Sequence, residues 1–396
     1  MDFSAAPRTL PEALALAAAR FPQRGVAIFD RRGRTAERRT YPEFLAAAQR
    51  GAARLAARGV QPKDRVLVCL PTSWPWFEAW FGALLLGAWP IAIAPGGALG
   101  SSEAQAERVD QLIERTGAKL LVCTAAFRDD ALQHGVQHVR THCVTAEDLA
   151  DQTVGSIPPR APAEPDDIAY LQLTSGSTGF PRGVIVTHRN AIHNCWASSI
   201  AIGAPHGAPA HAWADCMVSW LPLYHDMGLV GCVLLSIVSG FDLWLLSPRA
   251  FLAKPAIWLQ HVGAHGKTIS PAPNFGYQLS VERISEEDTA TLELGNFSAA
   301  MVGAEMVRPD TMEAFVGKFG PRGFRDTALR PCYGLAEGTL AVTFDLRGEG
   351  PRTRPVPTHD VDLELNQVVT VGAPIPDTEL RITAPDGSVL PDGAIG

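Results

Sequence analysis

The chain has 396 residues, a hydrophobic content of 46% and a formal net charge of −7. This length predicts two or three subdomains, and the apolar content argues against disorder. The negative charge disfavours nucleic acid and anionic membranes as partners, because both select for positive surfaces. Seven cysteines without a CxxC pair are typical of reduced thiols in a cytoplasmic protein. The polar start from Met1 to Pro7 predicts no signal peptide.

Two capping boxes and an alternation of helices and strands organise the first part of the chain. Thr9 with Glu12, and Thr40 with Glu43, fit the pattern in which a hydroxyl and a carboxylate satisfy each other's free helix-end amides. Apolar strands then alternate with helices, which predicts parallel pairing with right-handed crossovers. The predicted strands and helices cover residues 65–70, 76–86, 90–94, 103–115 and 119–123.

The stretch from Trp76 to Pro95 has about the length of a membrane span, for which about 20 uninterrupted apolar residues are needed. Glu78, Gly87 and Pro90 interrupt it. We therefore expect a buried helix that ends at Gly87, followed by a buried strand.

A stretch rich in proline and acids at residues 151–167 predicts a linker to a second α/β lobe. The predicted domains are a first α/β lobe at 1–160, a second lobe with the binding loops at 161–340, and an insertion-like segment with a β-rich start at 341–396. In the second lobe Thr187 is expected to cap a helix that begins at His188. Further predicted strands and helices cover residues 218–221, 226–238, 243–246, 255–262, 268–270, 298–302, 308–319 and 371–382.

The segment from Leu171 to Val186, LQLTSGSTGFPRGVIV, predicts two apolar strands around a loop of hydroxyls and glycines. Glycine lets successive amides point into one concavity, which binds anions, and Arg182 adds a positive charge. The loop is not a Walker loop, because Phe180 and Pro181 stand where that motif has its lysine. A plain flexible hairpin is the alternative. The side chains and glycines that form the loop are Thr174, Ser175, Gly176, Ser177, Thr178, Gly179 and Gly183.

Three further stretches each follow a predicted strand: SWLPLYHDMGLVG from Ser219, VGAE from Val302 and CYGLAEGT from Cys332. Ligands collect at the carboxyl ends of strands in open α/β sheets, so these loops are candidates for one ligand site. Taken singly, each motif has an ordinary structural explanation as a helix start, a half-buried aromatic or a solvated carboxylate. His261 and His265 have the i, i+4 spacing of zinc ligands, but no third ligand is near in sequence.

Together, TSGSTGFPRG, SWLPLYHDMGL and CYGLAEGT resemble the adenylate-forming (AMP-binding) superfamily, over nearly the whole chain. The second and third motifs resemble the fatty acyl-AMP ligase branch, and resemble the acyl-CoA synthetases less closely. The resemblance implies an α/β fold, the multi-layer αβαβα large domain of an adenylate-forming enzyme. That domain has two similar α/β sheet lobes and a small β-rich piece at the C-terminus. Two residues depart from the usual pattern: Arg182 replaces a lysine, and Ala336 replaces a threonine.

The resemblance also implies the roles of individual residues. His225, Arg182 and Glu337 would act in catalysis, with His225 near the acid carboxylate and the α-phosphate. Thr174 and Glu337 would hold Mg²⁺. The acyl chain would lie beside a helix that begins at Asp226 and a segment that begins at Asn274, so the substrate residues would be His225, Asp226, Gly231, Asn274 and Phe275. The residues that would contact ATP are Thr174, Ser175, Gly176, Ser177, Thr178, Gly179, Gly303, Ala304, Glu305, Tyr333, Gly334, Leu335 and Ala336.

The activity that the resemblance implies is the ATP- and Mg²⁺-dependent activation of a fatty or related carboxylic acid to acyl-AMP, followed by transfer to an acyl carrier protein thiol. The polar segment from Phe344 to Val371 favours a carrier protein, since acyl-AMP ligases carry an insertion there, although an ordinary variable loop would look similar. Two alternatives remain: an acyl-CoA synthetase that uses coenzyme A, and a non-catalytic nucleotide-binding module. The family's ribose-binding aspartate, hinge and small mobile domain would come after Gly396, so we expect the large domain alone, with slow adenylate formation.

Overall fold

The structure is a computed structural model that describes residues 6–30, 32–33, 35–95, 101–150, 162–174, 181–203, 214–345, 348–355, 367–391 and 394. The chain divides into two compact units, each built from two segments. The first unit combines Met1–Cys195 with Ser219–Ala253, and the second combines Trp196–Val218 with Lys254–Gly396. The domain boundaries near residues 160 and 340 stay predictions.

Helices and strands alternate along most of the chain. The α-helices are α1 Leu10–Arg20, α2 Tyr41–Ala57, α3 Trp74–Leu86, α4 Ser102–Thr116, α5 Ala125–Gln133, α6 Gln137–His142, α7 Ala146–Ala150, α8 His188–Gly203, α9 Asp226–Gly228, α10 Leu235–Ser239, α11 Pro248–Ala253, α12 Ala256–Ala264, α13 Asn274–Arg283, α14 Glu286–Ala290 and α15 Pro309–Phe319. The strands are β1 Gly25–Phe29, β2 Thr35–Thr40, β3 Arg65–Cys69, β4 Trp89–Ala92, β5 Leu120–Cys123, β6 Cys143–Thr145, β7 Ile168–Thr174, β8 Arg182–Thr187, β9 Cys216–Ser219, β10 Asp242–Leu245, β11 Thr268–Pro273, β12 Phe297–Gly303, β13 Leu329–Gly334, β14 Ala341–Phe344, β15 Thr353–Pro355, β16 Gln367–Val369 and β17 Ala373–Pro374.

A four-stranded sheet in the order β4-β3-β5-β6 lies in the first unit. Its neighbouring strands all run parallel, which confirms the pairing predicted from the alternation of helices and strands. One apolar face of this sheet packs on α4, α5 and α6 through Leu67, Leu121, Ile113 and Val139, all of which are buried. This burial is the main source of stability for such a layer.

Helix α3 confirms the prediction of a buried helix rather than a membrane span. Gly87 ends it in the left-handed conformation, with φ 76°, and β4 follows directly. The one charge in this apolar helix, Glu78, is neutralised because its carboxylate accepts hydrogen bonds from Arg39 at 2.8 Å and Arg54 at 2.9 Å. Among the described residues, no helix combines the length and the apolar composition that crossing a bilayer requires.

Two further sets of strands in the first unit were only partly predicted. Strand β1 pairs antiparallel with β2 and parallel with β10, and neither β1 nor β2 was predicted. Strands β7 and β8 form an antiparallel hairpin, as the two apolar flanks of the hydroxyl- and glycine-rich loop predicted. The Asn190 N–H donates to the Thr187 hydroxyl at 3.1 Å, which confirms Thr187 as the cap of α8.

In the second unit, strands β9, β11, β12 and β13 lie side by side and run parallel. Strands β14 and β17 extend this order beyond β13 with antiparallel pairing. Because β11, β12 and β13 are parallel, their carboxyl ends and the loops that follow them meet at one edge of the sheet. That edge carries the predicted binding motifs of this unit.

Three local predictions were wrong in detail. The helix predicted at residues 226–238 is α9, then a π-helical segment Leu229–Leu234, then α10. Thr9 caps α1, but Glu12 accepts from the Arg8 N–H rather than from Thr9, so only the box at Thr40 and Glu43 is reciprocal. The piece predicted to be strand-rich at residues 371–382 contains one two-residue strand, β17.

Candidate functional site

The hairpin β7–β8 presents the two ends of the predicted phosphate loop side by side. Thr174, the last residue of β7, pairs with Arg182, the first residue of β8. The Arg182 side chain is exposed, so its charge is accessible at the mouth of the loop. The loop residues between them, for which phosphate contacts were predicted, lie outside the described residues: Ser175, Gly176, Ser177, Thr178 and Gly179.

Gln172 holds this hairpin against the loop that carries His225. The side chain of Gln172 is 3% exposed, and its Nε2 donates to the Tyr224 carbonyl oxygen at 2.9 Å. Thr174 is two residues further along β7, and His225 follows Tyr224 directly. This hydrogen bond therefore fixes two predicted site segments of the first unit relative to each other. Gln172 was not among the predicted site residues, and its only signal in the sequence is a lone amide in the apolar strand LQL.

His225 and Asp226 form a hydrogen-bonded pair at the start of α9. The His225 Nδ1 lies 2.7 Å from Asp226 Oδ1, and the Asp226 side chain is buried while the imidazole is exposed. The hydrogen bond to Asp226 and the charge of this carboxylate raise the pKa of His225. With Nδ1 facing the carboxylate, Nε2 is the ring nitrogen left for other partners. The raised pKa favours the protonated imidazole, and a positive charge there suits an anionic ligand.

The π-helical segment that contains Gly231 follows this pair. Single π turns are frequently found at functional sites. Gly228, just before it, is required by packing, since a Cβ there would lie 2.2 Å from the Pro222 carbonyl oxygen. The predicted substrate residues His225, Asp226 and Gly231 therefore lie within one short, closely packed stretch of the first unit.

In the second unit, the other predicted residues gather at the carboxyl edge of β11, β12 and β13. Pro273 pairs with Gly303, and Val302 pairs with Pro331. The starts of the segments from Asn274, Gly303 and Cys332 are thus adjacent. These segments contain Asn274, Phe275, Gly303, Ala304, Glu305, Tyr333, Gly334, Leu335, Ala336 and Glu337.

Small residues allow the backbones at this edge to approach each other closely. A Cβ on Gly303 would lie 2.9 Å from the Cys332 carbonyl oxygen, and one on Gly334 would lie 2.0 Å from the Leu340 carbonyl oxygen. Ala304 adopts φ 65°, in the left-handed region that favours glycine. Tyr333, on the neighbouring strand β13, is 46% exposed. An exposed aromatic ring is suited to stacking on a flat base.

Glu337 lies on the 3₁₀ turn Ala336–Gly338, where its carboxylate is exposed. The turn is held by a hydrogen bond from the Leu335 N–H to the Leu340 carbonyl oxygen at 2.8 Å. Within the part of the chain that the structure describes, no group of three His, Cys, Asp or Glu side chains is placed to hold a metal ion. His261 and His265 stack on each other, with Nδ1 and Nε2 3.2 Å apart.

Asn274, Phe275 and Glu305 have contacts that their predicted roles do not explain. Asn274 is 3% exposed, and its side chain bonds to the Arg308 N–H and the Thr311 hydroxyl. The Phe275 N–H donates to Glu305 Oε1 at 2.6 Å, while the Phe275 ring is exposed. No pattern in the sequence signalled these cross-connections, since they join residues about 30 positions apart.

Comparison with solved structures confirms the predicted class of fold, an α/β adenylate-forming enzyme domain. A structure from a study of fatty acyl-adenylate ligases of E. coli and L. pneumophila matches with a TM-score of 0.85 and 29% identity, over 99% of this chain and 71% of that one. A fatty acyl-adenylate ligase of L. pneumophila, in complex with acyl adenylate and pyrophosphate, matches with a TM-score of 0.79 and 31% identity. That match covers 96% of this chain and 66% of the other.

Sequence comparison identifies the family. The model of the AMP-binding enzyme family matches residues 14–396, so the chain belongs to this family. A putative acyl-CoA synthetase of Caulobacter vibrioides is 31% identical over 98% of this chain and 68% of its own length. A long-chain-fatty-acid–AMP ligase of Mycobacterium tuberculosis is 34% identical over 84% of this chain and 58% of its own length. The chain thus spans 58% of the length of one of these relatives and 68% of the other.

Proposed function

We propose that this chain binds ATP and a fatty or related carboxylic acid and supports formation of an acyl adenylate with release of pyrophosphate. The observation that carries the proposal is the parallel pairing of β12 with β13, which brings the segment from Gly303 to Glu305 and the exposed Tyr333 to the same edge of the sheet. A flat base fits such a surface, and the fatty acyl-AMP ligases among the relatives support the acid as the second substrate.

The chemistry explains why the first unit offers positive charge. A carboxylate oxygen attacks the α-phosphorus of ATP, a new acyl–phosphate bond forms, and the bond to the β-phosphate breaks so that pyrophosphate leaves. Both reactants are anions, so positioning and charge neutralisation supply most of the catalysis in phosphoryl chemistry. Arg182, exposed at the end of the hairpin, and His225, whose pKa Asp226 raises, are the residues proposed to lower this repulsion.

Mg²⁺ is the proposed cofactor, and the donor set fits it. Mg²⁺ is usually bound by one or two carboxylates together with substrate phosphates and water, rather than by a cage of protein ligands. The exposed carboxylate of Glu337 is the proposed ligand of this kind. The bound ion would neutralise phosphate charge, and the protein would supply few of its ligands.

The proposed acceptor for the second step is the thiol of an acyl carrier protein. The thiol attacks the acyl carbon, a thioester forms, and AMP leaves. The polar segment between Phe344 and Val371 supports this acceptor over coenzyme A, because it is longer than a short connection and contains the antiparallel strands β15 and β16. Equal thioester yields with coenzyme A and a carrier protein would contradict this assignment. We also propose the cytoplasm as its compartment, in keeping with seven free cysteines.

Exchange of labelled pyrophosphate into ATP, measured with a panel of acids of increasing chain length, tests the proposal. We expect exchange only when an acid is present. Mg·ATP binding without any exchange across the whole panel would instead favour a non-catalytic nucleotide-binding module. The departures at Arg182 and Ala336 are the reason to include that outcome.

A further inference from the structure

Helices α13 and α15 begin close together in the second unit, and each is held at its start by a side chain from outside its own first turn. Helix α13 follows β11 directly, and α15 follows β12 after a short loop. The residues that precede the two helices, Pro273 and Arg308, provide no side-chain cap of their own. The first amides of a helix have no partner inside the helix, so both starts need acceptors from elsewhere.

Asn274, the first residue of α13, supplies the partner for α15. Its Oδ1 accepts from the Arg308 N–H at 3.0 Å, and its Nδ2 donates to the Thr311 hydroxyl at 3.2 Å. The Asn274 side chain is 3% exposed. Since its oxygen is engaged and the group is buried, Asn274 is poorly placed to contact an acid substrate.

Glu305, on the loop that leads to α15, supplies the partner for α13. Its Oε1 accepts from the Phe275 N–H at 2.6 Å, which places a negative charge at the positive end of the helix. A substrate anion could bind this amide only by displacing Glu305. The same residue follows Ala304, whose φ of 65° is unfavourable for a residue with a side chain. A conformation of that kind persists only where neighbouring contacts hold it.

We propose that Asn274 and Glu305 are positioning residues that do not themselves contact nucleotide or acid. Glu305 ties the segment Gly303–Glu305 to the start of α13, and Asn274 ties the start of α15, which follows this segment, to the same helix. This inference rests on the proposed function. It revises the roles that the family resemblance implies for both residues.

Amide hydrogen exchange tests the proposal without any activity. In the unliganded protein we expect slow exchange at the residue 275 amide, fast exchange in Glu305→Ala, and retained protection in Glu305→Gln, because the amide oxygen of glutamine still accepts the bond. Glu313→Ala, which removes an exposed carboxylate from α15, is the matched control and leaves residue 275 protected. Addition of Mg·ATP to the wild type must not accelerate this exchange. Acceleration would mean that Glu305 leaves the helix to bind the ligand, and would overturn the proposal.

Nucleotide binding measured by calorimetry gives the second test. We expect Glu305→Ala and Asn274→Ala each to weaken Mg·ATP binding by up to about tenfold, since the loss of a helix cap or a buried hydrogen bond lowers local stability by a comparable factor. Because both residues act on one segment, the double variant should bind Mg·ATP about as weakly as the single variant that has the lower affinity. Fully additive losses would contradict a shared positioning role. If the wild type binds no nucleotide, the proposed function fails, whereas the exchange measurement still decides whether the cross-capping exists.

Discussion

The Nε2 of Gln172 lies 2.9 Å from the carbonyl oxygen of Tyr224, and this single hydrogen bond connects the stem of the predicted phosphate loop to the turn that carries His225. A buried amide in an apolar strand is costly unless it is hydrogen-bonded, so its presence implies that the connection matters. Both ends of the bond lie in the first unit, two residues from Thr174 and one from His225.

Replacing Gln172 by leucine should therefore affect both stability and ligand binding. We expect Gln172→Leu to lower the free energy of unfolding by about 1 kcal/mol, because the Tyr224 carbonyl loses its partner. Mg·ATP binding should also weaken. The control is Gln278→Leu, which changes an exposed glutamine and should alter stability by less than about 0.5 kcal/mol. Equal effects of the two variants on urea unfolding and calorimetric binding would refute a special role for Gln172.

The contact between α2 and α3 gives a prediction about the stability of the fold that does not involve the ligand site. A Cβ on Gly82 would lie 2.6 Å from the backbone carbonyl carbon of Gly51, so the two helices touch backbone to backbone. We expect Gly82→Ala to destabilise the protein by about 1–3 kcal/mol, as overpacking of a rigid contact does. In α15, a methyl group on Gly317 would meet no atom within 4 Å, so Gly317→Ala should be neutral or stabilising by up to about 1 kcal/mol. If the urea midpoints of Gly82→Ala and Gly317→Ala shifted in the same direction, this account would be contradicted.

The pair of His225 and Asp226 predicts a pH dependence. Because the pKa of His225 is raised in the folded protein, the imidazolium–carboxylate interaction stabilises the fold fully below the ordinary histidine pKa. That contribution is lost as the pH rises through the raised value. We expect Asp226→Asn to move the titration of His225 to lower pH. An NMR titration of the ring protons, assigned with His225→Gln, measures both values, and an unchanged His225 pKa in Asp226→Asn would show that the carboxylate is not the cause.

Tyr333 gives the most direct prediction for the nucleotide. The exposed ring should stack on the base, which is worth about 1–3 kcal/mol for an aromatic–base contact. We therefore expect Tyr333→Phe to retain nearly full affinity for Mg·ATP, and Tyr333→Ala to lose about tenfold or more. If Tyr333→Phe bound Mg·ATP as weakly as Tyr333→Ala, the affinity would depend on the hydroxyl. This result would point to a polar contact in place of stacking.

Much of the fold was predictable because its signals are local. Helix α3 is apolar apart from Glu78 and ends at a glycine in the left-handed conformation, and the parallel strands β3 to β6 follow from the helices between them. Strand β2 was missed because its sequence, TAERRT, is polar and lacks the apolar pattern of a buried strand. The π-helical turn at Leu229–Leu234 was missed because its sequence is as apolar as an ordinary helix, so composition does not separate the two.

The candidate site was predictable in its motifs but not in its internal connections. Gly303 and Tyr333 were expected just after strands, but they lie at the end of β12 and inside β13, and the parallel register shows that these two strands are neighbours. The bonds of Gln172 to Tyr224 and of Glu305 to Phe275 join distant positions, and a single sequence carries no signal for such pairs. These hydrogen bonds depend on tertiary packing, which only the structure gives.

Binding of a non-hydrolysable fatty acyl-adenylate analogue to the 396-residue chain tests the central claim most directly, because it requires both the base surface and an acyl site in one molecule. We expect one analogue to bind per chain, more tightly than either AMP or the fatty acid alone, and at least about tenfold more weakly to Tyr333→Ala. No binding of the analogue, or binding no tighter than that of AMP and insensitive to Tyr333→Ala, would contradict the account.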